Sequence, residues 1–299
     1  MTRGLIVKAL SGYYYVMPDD GDVVVQCRAR GVFKKRGISP LVGDRVTIEV
    51  EATGEGTVTE IEPRSSVLVR PPVANVDTAV LVFSVAEPAV SHQLLDRFLV
   101  HTEIAGLTSI ICFSKKDLSE ETDELDEAIK RYTRIGYEVY ATSSPSREGT
   151  SDLAHRLIGH ISVFAGQSGV GKSTLLNTMI PGLTLETNAI SQKLGRGKHT
   201  TRHVELIPLP AGGWIADTPG FSQLDFQQME PEQLTAGFRE FRELSPTCKF
   251  RGCLHMSEPG CAVTQALQDG QIDRSRYVHY GLFLQELKEA KEKKRWNPK

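Results

Sequence analysis

Three groups of residues in this chain have the types and spacing to do chemistry. The first is Gly166-Gln167-Ser168-Gly169-Val170-Gly171-Lys172-Ser173, followed by Thr174. It matches the phosphate-binding loop G-x-x-x-x-G-K-[ST], and a short apolar run (161–165) leads into it as a strand should. Glycines at 166, 169 and 171 let backbone N–H groups curl toward phosphate oxygens, and the helix expected from Lys172 turns its positive end to the same anion. Lys172 has the reach for β- and γ-phosphates, and the Ser173 hydroxyl is a Mg²⁺ ligand of the right type. The second group, Asp217-Thr218-Pro219-Gly220, fits the D-x-x-G turn that senses magnesium and the γ-phosphate. The third is Cys248, Cys253, His255 and Cys261, three thiols and an imidazole within fourteen positions. Three thiolates and a ring nitrogen make a tetrahedral Zn²⁺ set, and Gly252 and Gly260 stand where its tight turns need them.

The phosphate loop indicates a nucleoside triphosphate without naming the base. No N/T-K-x-D motif follows Asp217; the nearest match lies upstream, at Ser114-Lys115-Lys116-Asp117, directly after a strand-like run at 109–113. Asp117 can accept from the N1–H and 2-amino group of guanine, which adenine lacks, and the Lys115 stem can lie along the base. Residues 142–144 would close over the guanine O6. Such a K-x-D match in isolation would equally suit a helix-capping Asp.

Elements to position these groups are legible along the chain. Residues 1–70 read as short strands at 4–10, 12–17, 22–28, 45–50 and 55–61, separated by turn signals, which suits a small OB-type barrel. Arg28, Arg30, Lys34, Lys35 and Arg36 form a basic patch beside Phe33, with Tyr13, Tyr14 and Tyr15 nearby. That pattern suits either a nucleic-acid surface or a solvated hairpin with a Tyr or two in the core. Arg70-Pro71-Pro72 is expected to be a linker. Residues 71–225 alternate strands and helices in the manner of a doubly wound, mostly parallel α/β domain. Within it, 191–202 is polar and glycine-bearing and is expected to be mobile. The last unit, 226–299, carries the Cys/His group and a helix from Arg274 to Trp296 with a basic end. Cys27 and Cys112 lie in strand runs and read as core residues.

Composition bounds the reading. The chain has 299 residues and a formal net charge of −2, with acid concentrated between Glu120 and Glu127. Two or three domains fit that length. No run approaches the ~20 apolar residues of a membrane span, and the N-terminus has no signal-peptide pattern. A cytoplasmic protein is expected, whose five cysteines serve metal or core rather than disulfides.

Read round from the phosphate loop, through Asp217, then back to residues 76–85, Asp117 and 142–144, the motifs follow the usual GTPase order with relocated termini. The constellation resembles the circularly permuted ribosome small subunit-dependent GTPase A family (RsgA, YjeQ/YloQ). The stretches 41–46 (LVGDRV), 165–173 (AGQSGVGKS), 195–203 (GRGKHTTRH), 217–221 (DTPGF) and 248–255 (CKFRGCLH) carry the likeness along the whole chain. The resemblance implies an OB-fold RNA-binding domain (1–70), a circularly permuted P-loop GTPase domain (71–225) and a zinc-binding, mainly helical domain (226–299). It implies a monomer that hydrolyses GTP to GDP with Mg²⁺, holds one structural Zn²⁺, and acts on the small (30S) ribosomal subunit and its rRNA. Ser114 departs from the family, which usually has Asn or Thr there.

Phe221 stands where many GTPases carry the Gln that orients the attacking water. Intrinsic turnover is therefore expected to be slow, with His199 the local candidate for placing water and Thr200 or Thr201 a candidate Mg²⁺ ligand. A P-loop ATPase or kinase, and an RNA-binding protein with a vestigial nucleotide site, are the competing classes.

Overall fold

The computed structural model describes all residues except 36, 70–71, 120–121, 184, 186–203, 218–223, 225, 227–228 and 297–299. Period-two alternation of apolar residues builds the first unit: β1 (Thr2–Leu10), β2 (Tyr13–Pro18), β3 (Val25–Ala29), β4 (Arg45–Val50) and β5 (Gly56–Ile61). They run in the order β1-β2-β3-β5-β4, and β4 pairs back onto β1 to close a barrel around Ile6, Val16, Cys27, Val46, Ile48 and Val58. A short helix, α1 (Gly31–Lys35), stands where the sequence suggested a basic hairpin. It forms because Phe33 is drawn into the barrel core, where it is 7% exposed.

The LVGDRV stretch is the seam of the barrel. Gly43 (φ +91°) passes so close to the next segment that a β-carbon would lie 2.0 Å from the Ala74 carbonyl oxygen. Beside it Asp44 is fully buried, accepting two charge-assisted bonds from Arg64 at 2.7 and 2.8 Å. The expected linker differs from expectation: Val67–Val69 (β6) and Pro72–Ala74 (β7) pair as an antiparallel hairpin. Pro72 is tolerated because it opens its strand, where a missing N–H costs least.

The second unit is the α/β layer. Strands β8 (Thr78–Ser84), β9 (Thr108–Ser114), β10 (Glu138–Ala141), β11 (Ile161–Ala165), β12 (Glu205–Pro208) and β13 (Trp214–Asp217) lie in the order β10-β9-β8-β11-β13-β12, parallel except for β12. β8 is buried at every position, as a strand covered on both faces should be. Helices α2 (His92–Ile104), α3 (Thr122–Arg134), α4 (Thr150–Arg156) and α5 (Lys172–Met179) complete it. Ser91 caps α2 by accepting from the Leu94 N–H. The sheet continues into the barrel where β1 pairs antiparallel with β12, Lys8 opposite Glu205.

The third unit packs α6 (Pro231–Ala236), α7 (Arg239–Leu244), α8 (Ala262–Gln268) and α9 (Arg274–Trp296) around Phe226, Phe238, Phe241, Tyr280 and Phe283. Val100 of α2 joins this core, and Gly237 fits there only for want of a side chain, since a β-carbon would lie 2.8 Å from Val100 Cγ1. Arg276, fully buried, bridges Asp96 of α2 (2.7 Å) and Glu240 of α7 (2.8 Å), with its guanidinium 4.6 Å from the Phe238 ring centroid. Burial penalises the Asp96 charge, but Arg276 and His279 beside it hold the carboxyl below the usual range. Among the described residues no helix is long and apolar enough to cross a membrane.

Candidate functional site

The glycine-rich loop 166–173 joins β11 to α5, and the turn at 114–117 follows β9, two strands along the same parallel sheet. Both therefore emerge at the carboxyl ends of the strands, where ligands of open α/β sheets bind. Gly166 (φ +144°), Gly169 (φ +85°) and Gly171 (φ +91°) all hold the backbone conformations that side chains disfavour. At Gly166 a β-carbon would lie 2.1 Å from the Val82 carbonyl oxygen, so the loop can leave the sheet only through glycine. Gln167, Ser168 and Val170 complete the curl, Val170 as a buried anchor, and Ser173 and Thr174 sit in the first turn of α5. Lys172 Nζ folds back over the loop, donating to the carbonyls of Gly166 (2.8 Å) and Gln167 (2.6 Å). Burial pushes its ammonium down to about 8.

Ser114 bonds directly to this loop. Its buried Oγ lies 2.5 Å from the Val170 carbonyl and 3.2 Å from that of Phe83. Lys115, with φ +60°, turns the chain so that its Nζ donates to the Glu87 carbonyl (2.5 Å). Its Cε passes 3.7 Å from where a Gly171 β-carbon would stand, alongside the phosphate loop. Asp117 lies in the 3₁₀ turn Lys116–Leu118. Backbone bonding ties that turn to the end of β10: Lys116 N–H donates to the Thr142 carbonyl at 3.0 Å. Thr142 and Ser143 are buried, and the Ser143 N–H is itself held by the Glu148 carbonyl, whose carboxylate pairs with Lys116 Nζ. The structure thus brings the 114–117 and 142–144 segments together beside the loop. Glu87 and Glu148 were missed from sequence because they act through backbone carbonyls or across a turn, which no motif records.

Asp217 ends β13, the strand next to β11, so its backbone reaches the same end of the sheet. Gly220, His199, Thr200, Thr201 and Phe221 lie outside the described residues. Downstream, Arg97 of α2 donates to the Leu224 carbonyl (2.9 Å), pairs with Glu286 of α9, and lies over the Phe226 and Phe283 rings. The chain leaving the D-x-x-G strand is thereby fastened at once to the third unit.

Cys248, Cys253, His255 and Cys261 converge, with one ligand atom from each and all of these within 4.8 Å of one another. The Cys248 and Cys261 sulfurs are 4.0 Å apart, and His255 Nδ1 lies 3.6 and 3.4 Å from them. Thiolates about 2.3 Å from a tetrahedral Zn²⁺ stand about 3.8 Å from each other, so this donor set fits that ion. The remaining groups are arranged to support it. Backbone N–H of Ala262 and Thr264 point at the Cys248 and Cys261 sulfurs, and His255 Nε2 lies 3.0 Å from Ser245 Oγ. His255 itself takes φ +56°, held by Tyr277 donating to its carbonyl at 2.7 Å. Although burial opposes ionisation, backbone N–H groups from Leu254, Met256 and Ser257 hold the Glu258 carboxyl down to about 2.

The barrel surface bears on both readings of its basic and aromatic stretch. Phe33 is in the core, Tyr14 and Tyr15 pack against it, and the Tyr13 ring is covered by Arg28 at 4.8 Å. Phe33 is therefore not free to stack on a base, whereas the three tyrosines each stay partly exposed.

Comparison with known proteins agrees with this architecture. The RsgA N-terminal domain model matches residues 3–58 and the RsgA GTPase model residues 61–227. The chain is 53% identical to "Small ribosomal subunit biogenesis GTPase RsgA" of Bacillus velezensis, covering 97% of this chain and 99% of the relative. To the protein of the same name from Halalkalibacterium halodurans it is 54% identical over 96% and 98% of the two chains. Among solved structures, YloQ, described as a circularly permuted GTPase, superposes with a TM-score of 0.84 at 46% identity over 97% of this chain and 96% of that one. YjeQ from Thermotoga maritima gives a TM-score of 0.85 at 36% identity, covering 96% and 98%. A permuted phosphate-loop GTPase domain, a barrel before it and a Cys₃His lobe after it, matched end to end at this identity, have one reading: the chain belongs to the RsgA GTPase family.

Proposed function

We propose that this GTPase docks on the small (30S) ribosomal subunit late in its assembly, binding rRNA through the barrel and the Cys₃His lobe, and that hydrolysis times its release. The observation that carries this reading is end-to-end identity above 50% with relatives named for small-subunit biogenesis. The units divide the work as 1–70 for RNA, 71–225 for GTP and 226–299 for a zinc-stiffened RNA contact. The protein works as a cytoplasmic monomer.

Guanine is read by Asp117, with Lys115 along the base and Ser114 bracing the loop. The backbone of residues 166–174 and Lys172 hold the phosphates, while Ser173, Asp217 and either Thr200 or Thr201 supply Mg²⁺ ligands. Magnesium, when bound, neutralises charge on the β- and γ-phosphate oxygens. Water adds to the γ-phosphorus, the bond to the β–γ bridging oxygen breaks, and GDP and phosphate leave, with Lys172 stabilising charge on the transferring group. Phe221 offers no group to orient that water, so His199 does so once the subunit brings it to the γ-phosphate. Four side chains, Cys248, Cys253, His255 and Cys261, hold one Zn²⁺ per chain in a structural role.

The deciding experiment measures GTP turnover alone and with purified small or large subunits. Slow basal turnover rising roughly 10³-fold or more with small subunits only is expected, the scale on which partners activate GTPases. No acceleration by small subunits at any concentration would sink the assignment. His199→Ala is expected to remove the acceleration and leave nucleotide and subunit binding unchanged; if it accelerates normally, the role passes to another group.

A further inference from the structure

The segment Cys248-Lys249-Phe250-Arg251-Gly252-Cys253 is a short loop with a metal-ligating type of residue at each end. Pinning both ends fixes what the middle presents, and Gly252 (φ +71°) supplies the turn at its tip. Physics would bury a phenylalanine so constrained; instead Phe250 is 46% exposed. It is not waiting for the protein's own core, because the lobe's other large rings, Phe238, Phe241, Tyr280 and Phe283, already fill that.

The surroundings of the ring are cationic. Lys249 Nζ lies 5.4 Å from its centroid, held there because the Lys249 stem runs over Gly260, where a β-carbon would be 3.1 Å away. Arg251 is exposed, and neither it nor Lys249 has an ion-pair partner among the described residues. Across the loop, Arg242 reaches Glu103 at 3.2 Å yet keeps half its side chain in solvent. Between these groups and α6 lies a cavity of about 580 Å³ lined also by Thr235, Ser245 and Pro246, with Glu232 the carboxylate among its lining residues. That volume falls in the range of sites that enclose a small organic ligand, roughly 300–1,000 Å³. Three cations, one carboxylate and an open ring select an occupant that is both anionic and planar.

We propose that this cavity receives a single unpaired nucleotide of RNA, its base stacked on Phe250 and its flanking phosphates held by Lys249, Arg251 and Arg242. The inference rests on the RNA-contact role given above to this lobe and makes it specific. A duplex cannot use the site, since its bases already stack on each other and present only edges and phosphates. An exposed loop, bulge or strand end can. Phe250 thereby gives this lobe a means of its own to distinguish unpaired RNA from any other polyanion.

The test uses full-length, zinc-loaded protein with two labelled probes, a single-stranded RNA of about 12 nucleotides and a blunt RNA duplex of two annealed strands, which has no loop. Phe250→Ala is expected to weaken single-strand binding about 5- to 150-fold, the range for losing one base–ring stack, and to leave duplex binding unchanged. Phe250→Leu should fall with Phe250→Ala, and Phe250→Tyr should bind as the native protein does. Lys249→Gln and Arg251→Gln should each lower the salt slope by about one. Zinc content should not move, because Phe250 is not among the four ligating residues, and melting temperature should shift little, because nearly half of the residue is already in solvent. Single-stranded RNA carrying 4-thiouridine should cross-link within residues 248–253. Native binding by Phe250→Ala or Phe250→Leu, or cross-links confined to the barrel, would overturn the proposal. If Phe250→Ala lost subunit affinity but kept single-strand affinity, the ring would dock on a ribosomal protein and the proposal would fall. Subunit-stimulated turnover, measured in parallel, separates this outcome from failure of the small-subunit assignment, which would show as no stimulation of the native protein.

Discussion

The hydroxyl of Ser114 donates to the carbonyl oxygen of Val170 at 2.5 Å, joining the base-reading turn to the phosphate loop with no intermediary. A hydroxyl has one proton, so the Phe83 carbonyl at 3.2 Å receives little. Ser114→Ala would strand a buried carbonyl at a cost of about 1–3 kcal/mol, part of which appears as a looser loop. GTP affinity is expected to fall roughly tenfold. An asparagine amide carries two N–H groups, one for each carbonyl, so Ser114→Asn should bind GTP at least as tightly as the native protein. Calorimetric titration of both variants checks this, and native affinity in Ser114→Ala would show that the bond is dispensable.

In the base reading proposed above, Asp117 accepts from two donors of guanine, and Asn would offer one acceptor and one donor in the same place. Xanthine carries a carbonyl where guanine has its 2-amino group, which suits the Asn donor. Asp117→Asn should therefore lose GTP affinity and gain affinity for xanthosine triphosphate. Competition between the two labelled nucleotides reads the exchange directly; a variant that still prefers GTP moves base recognition elsewhere.

Lys172 gives a pH dependence with a definite sign. Only its ammonium form attracts phosphate, and burial pushes that ammonium down to about 8, against about 10.4 for an ordinary lysine. Below about pH 8 the charged form is already present and affinity should be flat. Above it, binding must recapture a proton, so affinity should fall by up to tenfold per pH unit. Lys172→Arg, whose guanidinium does not titrate there, should show no such decline whatever its absolute affinity. Dissociation constants for a non-hydrolysable analogue across this range decide the matter, and parallel profiles for the two proteins would refute it.

The Cys₃His cluster should hold one Zn²⁺ per chain, and Cys253→Ser should lose it. Structural zinc contributes about 10 kcal/mol or more to small modules, so the lobe around His255 should unfold. The phosphate loop and base-reading turn touch none of it, and GTP binding should survive nearly unchanged. Elemental analysis of protein purified without chelator gives the first answer, and a metal-free but fully folded lobe would end the zinc assignment.

Chemistry confined to a few consecutive residues was legible in the sequence. The glycines at 166, 169 and 171 announce their own backbone geometry, and the Cys/His spacing announces convergence. Barrel strands were legible too, because alternation of apolar side chains is a local property. What escaped was what distant pairs decide. The helix Arg274–Trp296 reads as a basic, solvated face, yet Arg276 is fully buried because Asp96, far back in the chain, and Glu240 enclose it. For Phe33 and Tyr13 the sequence left a stacking surface and a hairpin equally open; the barrel core claims the first ring and Arg28 lies over the second. The small helix at Gly31–Lys35 and the pairing of Val67–Val69 with Pro72–Ala74 likewise depend on neighbours that no local pattern names.

The pairing of Lys8 with Glu205 has a practical consequence. Strand β12 is the outermost strand of the GTPase sheet, and the barrel covers its free side. A GTPase fragment cut away from the barrel would present that side as an exposed sheet edge, a ready template for pairing with another copy. Such a fragment should self-associate as its concentration rises, even with every nucleotide motif intact. Inactivity after removing the barrel would then report aggregation as readily as a lost RNA contact, and capping the edge with a charged or proline substitution in β12 is what separates the two.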